Sequence, residues 1–315
     1  MPGAYAHITL VNIAKETERL ESAGVPIPAI QALLRHFGFC ELGAVSPDYP
    51  YLHFGHEESK VWADSMHYVR TGEPIKKGIE LARALSGDRQ AKVVAWLSGY
   101  AAHVVADVTI HPVVELRVGE YATNAKAHRV CELNQDAYIF QRLGLDEVGR
   151  SEHLDTGIWS CCDVTNAQNL DQTIADTWRR ILSNCHPAMY MENEPDIDGW
   201  HAGFKRAVDV AEEGNRMPLL ARHLAVNCGL TYPAITDIDH TFIENLITPT
   251  GKMHYDELFD RARDNVVKMW AMIGKAIFEN DMAYQTGIGN WNLDTGKDDA
   301  GKFAYWPNKL SVDHA

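Results

Sequence analysis

No run of about 18 consecutive apolar residues, the length a helix needs to cross a bilayer, occurs in the chain, so no transmembrane segment is expected. The most apolar window, residues 93–106, is interrupted by Ser98, Gly99 and His103. The opening Met-Pro-Gly-Ala-Tyr-Ala-His has neither the basic start nor the apolar centre of a secretory signal, which gives a cytoplasmic expectation. Positive charge is in deficit: 29 Lys and Arg stand against 43 Asp and Glu, a formal charge of −14. A long nucleic acid is therefore not an expected partner, because its phosphates need clustered cations. The same deficit suits a protein that binds metal cations. The six cysteines show no CxxC spacing, and Cys161 beside Cys162 suits neither a common zinc site nor a simple disulfide. Buried, reduced thiols are expected. No G-x-S-x-G elbow supplies a serine nucleophile, and no internal repeat or low-complexity tract is present.

What remains is an ordinary globular composition. With 46% hydrophobic and 23% charged residues, 315 residues suffice for a large buried core. Helical spacing dominates: 27–37, 75–85, 90–110 (closed by Pro112), 124–143, 173–182, 203–213, 219–226 and 255–279 all repeat apolar residues at intervals of three and four. Few segments alternate with period two; Ala6 to Val11 reads as a short strand or a helix start. The interval from Gly38 to Trp62, rich in Gly, Pro and aromatics, reads as a long loop. The fold class is mostly α, a single multi-helical domain over 1–285. A polar tail over 286–315, with Gly287, Gly289, Gly296 and Gly301, is expected to wrap the surface or move.

The chemistry sits in the histidines. In Gly99–Pro112, His103, Asp107 and His111 follow at intervals of four, and residues i and i+4 share one helix face. His128 and Glu132 repeat the imidazole–carboxylate pair on the next helix. The surrounding Val104, Val105, Val108, Val130 and Leu133 are apolar, so these polar groups are costly unless something satisfies them. Mixed N and O ligands from two facing helices suit Zn²⁺. Pro112 is expected to break the helix, turning His111 toward a second metal. Asp48 in a Pro-bounded turn, His67 and His7 add further candidate ligands.

The order His7, Asp48, His67, His103-x3-Asp107, His111, His128-x3-Glu132 resembles the zinc-dependent phospholipase C family, related in fold to the S1/P1-type nucleases. The resemblance covers roughly residues 1–140, with Gly99 to Pro112 its most specific part. It implies an all-helical phospholipase C-type domain around a zinc cluster. Asp48, His67, His103 and Asp107 would hold one zinc, and His111, His128 and Glu132 a second. Asp107 would bridge to a third zinc shared with His7. Secreted members complete that third position with an N-terminal Trp; this chain has no Trp before residue 62, so two zinc ions are expected, with a third if another group replaces the Trp.

The implied activity is phospholipase C-like phosphodiester hydrolysis by a metal-bound hydroxide, with Asp48 as ligand and proton acceptor. Tyr49, Tyr51, Phe54, Trp62 and Tyr68 either line a choline or acyl pocket or cover the core. His53 and His56 contact substrate, replace a ligand, or are solvated. Two other functions fit the same residues: a nuclease or nucleotidase on the same cluster, and a non-catalytic, metal-stabilised interaction protein.

Overall fold

The computed structural model describes residues 3–144, 157–214 and 231–308; the expected helix 219–226, Cys228 and the end of the tail lie outside the described residues. The described residues form a stack of helices with a single two-stranded hairpin, Leu246–Thr248 against Gly251–Met253. In chain order the first eight helices are α1 (Ala4–Ala14), α2 (Thr17–Ser22), α3 (Ile27–Arg35), α4 (Phe37–Val45), α5 (Glu57–Tyr68), α6 (Glu73–Arg83), α7 (Gly87–Val118) and α8 (Tyr121–Phe140). They are followed by α9 (Gln172–Cys185), α10 (Pro187–Glu192), α11 (Ile197–Gly214), α12 (Tyr255–Phe278) and α13 (Tyr284–Gly287).

Helix α7 is the axis of the molecule. Every residue from Val93 to Val114 is buried, as expected of a helix that is apolar on all sides. It is long and apolar enough to cross a membrane, yet its most apolar window lies wholly inside the fold. Helices α3, α4, α6 and α12 pack around it.

Of the two readings of residues 6–11, the helix start holds: they belong to α1. Two expectations are corrected. The expected loop 38–62 is mostly helical: α4, then a 3-10 segment Ser46–Leu52, then the start of α5. Its glycines, read as loop signals, are contact points instead. A side chain on Gly43 would collide with the Trp96 carbonyl, and one on Gly99 with the Cys40 carbonyl. The helix propensity lost at a glycine, roughly 1 kcal/mol, is exchanged for close approach of α4 and α7. Pro112, finally, does not end its helix. The ring removes one amide and frees the Val108 carbonyl, but α7 continues to Val118. Gly296, at φ +67°, lies against that carbonyl where a side chain would not fit.

The C-terminal segment packs into the fold. Ile288, Leu293 and Trp306 are buried, and the Trp306 indole donates to the Thr109 carbonyl at 2.9 Å.

Candidate metal centre

Three elements meet α7 at the site. Helix α1 brings His7, the 3-10 segment brings Asp48, α5 brings His67, and α7 itself brings His103 and Asp107. All five are buried apart from Asp48, whose side chain is 13% exposed and marks the open side.

Backbone carbonyls set the imidazoles. His67 Nδ1–H donates to Ala63 O at 2.7 Å and His103 Nδ1–H to Ala44 O at 2.9 Å. The α4–α7 approach at Gly43 and Gly99 is what puts the Ala44 carbonyl there. With the proton held on Nδ1, each Nε2 presents a lone pair. These two lone pairs face each other at 3.4 Å, an arrangement that repels unless a cation lies between them. Asp48 Oδ1 stands 3.3 Å from His67 Nε2 and 3.9 Å from His103 Nε2. Asp107 Oδ2 stands 3.2 Å from His103 Nε2 and 4.0 Å from His67 Nε2. A tetrahedral zinc with bonds near 2.0–2.1 Å separates its ligand atoms by roughly 3.3–3.4 Å, so Asp48, His67 and His103 close to the spacing of one ion, with Asp107 beside both imidazoles.

The other oxygen of Asp107, Oδ1, is 3.3 Å from His7 Nε2, and the His7 ring stacks on His103 at 4.1 Å. Among the described residues, Asp48 Oδ1, both Asp107 oxygens, both His7 nitrogens and His111 Nε2 are buried without a hydrogen-bond partner. Buried carboxylates left in this state are strongly unfavourable; a cation satisfies them together. Burial acts to raise both carboxyl pKa values, but the imidazoles outweigh it: His103 and His67 pull Asp48 down, and His103 and His7 hold Asp107 well below the usual range. Both are ionised, as ligands must be.

The second expected set is less gathered. His111 is kept neutral by burial, and its Nδ1–H donates to Leu293 O at 2.7 Å, leaving Nε2 free. His128 turns Nε2 to Gly119 O at 2.6 Å, with Nδ1 4.0 Å from Glu132 Oε1. Among the described residues the groups of three ligand atoms that close to metal distance are His7–His103–Asp107 and Asp48–His67–His103; His111, His128 and Glu132 do not form such a group.

The model of zinc-dependent phospholipase C matches residues 6–188, more than half of the sequence. The chain belongs to the zinc-dependent phospholipase C family. No curated protein matches, and no solved structure matches. For this family member the expected helical fold and the zinc-type donor set agree with one another.

The expected substrate residues scatter. Tyr49 is fully buried, stacked on Phe204 at 4.6 Å with Trp178 and His201 beside it, so it belongs to the core and not to a substrate wall. Trp62 is likewise buried. Phe54 is 61% exposed. His53 and His56 stack on each other at 3.8 Å, and their Nδ1 atoms meet Ser59 and Glu58, away from any metal group. Tyr51 and Tyr68 are at the centre: their rings flank His67 at 5.5 and 6.1 Å.

Three residues escaped the sequence reading. Asp136 follows His128 and Glu132 at the next interval of four, a signal that was present. It accepts from the Ala6 amide at 3.0 Å and Tyr232 OH at 3.3 Å, anchoring the start of the helix that carries His7. Gly3 lies so close to this carboxylate that no side chain would fit. Burial pushes the Asp136 pKa up to about 7 despite the opposing charge of Arg129. Asp294 accepts from Tyr68 OH at 3.0 Å and stands 3.9 Å from His111 Nδ1. Tyr121 packs edge-on against His128 at 5.3 Å. Neither of the last two carries a local sequence signal.

Proposed function

We propose that this protein hydrolyses phosphate-ester bonds of phospholipids in the manner of a phospholipase C, using two zinc ions, with His7 and Asp107 available to a third. The observation that carries the reading is the convergence of the buried, unpartnered oxygens of Asp48 and Asp107 on the facing Nε2 atoms of His67 and His103. Family membership supports zinc as the metal and a phosphate ester as the substrate.

Bound zinc supplies Lewis acidity toward phosphoryl oxygens and ionisation of water near neutral pH. The protein supplies the rest. Asp48, on the open side, is the ligand and also the proton acceptor through its second oxygen. His111, His128 and Glu132 would hold the second ion. Tyr51 and Tyr68 wall the entry beside His67 and restrict water.

The test is a substrate panel on the zinc-loaded protein: phosphatidylcholine, a soluble phosphodiester and single-stranded DNA. Release of diacylglycerol that stops on chelation and returns with zinc is expected. Cleavage of DNA alone would replace the lipid reading with a nuclease. Zinc removal that unfolds the chain with no turnover on any substrate would make the metal structural.

A further inference from the structure

We infer that the end of α7 and the 246–253 hairpin form a docking surface for an anionic phospholipid bilayer, beside the residues expected to hold the second zinc. The inference rests on the phospholipase reading for its purpose, but on separate residues for its evidence: the hairpin lies outside the residues that match the family.

Two exposed apolar side chains, Leu116 at the end of α7 and Ile247 on the first hairpin strand, border one cavity of about 390 Å³. Arg117 and Lys252 line the same cavity and are exposed. Ile247 and Lys252 are direct cross-strand partners, so they stand side by side on the outer face of the hairpin. The acid in the cavity, Glu244, faces His240 at 3.5 Å. Among the described residues neither Arg117 nor Lys252 is in an ion pair. A chain of net charge −14 that shows two cations beside two exposed aliphatic groups is built locally against its own average. Cations beside apolar side chains are the chemistry of an interface that meets lipid phosphates with charge and the acyl boundary with Leu and Ile.

Leu116 lies five residues beyond His111 on the same helix, about 7–8 Å along its axis at the helical rise. Gly119, two residues past Arg117, gives its carbonyl to His128, and Tyr121, 38% exposed, packs on the His128 ring. A surface engaged by Leu116 and Ile247 is therefore next to the residues expected to hold the second zinc.

The test is co-sedimentation of the zinc-loaded protein with vesicles of phosphatidylcholine alone or mixed with phosphatidylglycerol. The parent protein is expected to sediment with the mixed vesicles and weakly with phosphatidylcholine. Lys252→Gln and Arg117→Gln should each weaken binding about fivefold, the scale of one interfacial basic residue, and Ile247→Glu should abolish it. Hydrolysis of a soluble phosphodiester should be unchanged in all three. Absence of parent binding to mixed vesicles, or equal binding by parent and Ile247→Glu, would overturn the docking surface. Loss of soluble-substrate hydrolysis in the parent would overturn the zinc hydrolase reading and leave the vesicle result standing by itself.

Discussion

The two halves of the metal centre differ in how far they are assembled. In the first, the Nε2 atoms of His67 and His103 already stand 3.2–4.0 Å from each other and from the oxygens of Asp48 and Asp107. In the second, His111, His128 and Glu132 are buried neighbours whose donor atoms do not converge. Both halves hold their imidazoles by backbone carbonyls, so anchoring is not what separates them. The difference is in the elements. The first half joins α5 and the 3-10 segment to α7 where α4 locks onto it at a glycine crossing; the second joins α8 to α7 and leans on a segment near residue 293. A preformed site loses less freedom when its ion arrives, so zinc is expected to bind in two steps, the first half filling before the second.

The harshest way to break this contrast is Asp107→Ala, which removes the carboxylate that faces both His103 and His7. Elemental analysis should show the loss of about one zinc or more per chain, and phosphodiester hydrolysis should fall about a thousandfold, the scale of several kcal/mol of charge stabilisation. Unchanged zinc content would remove Asp107 from the centre.

Asp136 joins the halves, since it shares α8 with His128 and Glu132 and anchors α1 with His7. Its folded pKa, about 7, lies above its ordinary value of 3.8. The folded state therefore holds this proton more tightly than the unfolded one. Stability is fully present below pH about 4 and falls as pH rises toward 7, by an amount on the order of 4 kcal/mol. Thermal melts from pH 4 to 8 should show this component flattened in Asp136→Asn; a parallel decline in both proteins would mean that another group carries it.

Gly99→Ala acts on the first half alone. The added methyl forces α4 from α7 and moves the Ala44 carbonyl off His103. A cost of about 1–3 kcal/mol is expected in chemical denaturation, together with weaker binding of the first zinc. Asp294→Ala is the mildest change and acts on the second half. A group supporting a ligand shifts metal affinity by about tenfold or somewhat more, so the second step of a zinc titration should weaken while the first stays put.

Much of this centre was legible in the residues because helical spacing is informative. His103 and Asp107 at an interval of four, in an apolar helix, announce a paired donor set. The helices of the core followed for the same reason. The region 38–62 misled because glycine signals a turn when read alone and a close helix contact when a second helix is present, and only the partner distinguishes them. Pro112 misled likewise: a proline ends an isolated helix, whereas here Gly296 covers the carbonyl it frees. Asp294 was unreadable, since its neighbour His111 is 183 positions away and nothing local marks the meeting. Tyr49 followed Asp48 in sequence, yet in the tight 3-10 turn its ring points into the aromatic core.

The strap around residue 293 has a consequence for the order of events in the cell. The Leu293 amide closes on the His67 carbonyl at 3.0 Å, and its own carbonyl fixes His111. A ribosome delivers these atoms more than 180 residues after His111 has emerged. A nascent chain can thus gather its first four donors early, but its second imidazole stays unfixed until translation is nearly done, which delays full hydrolytic competence until the fold is almost closed.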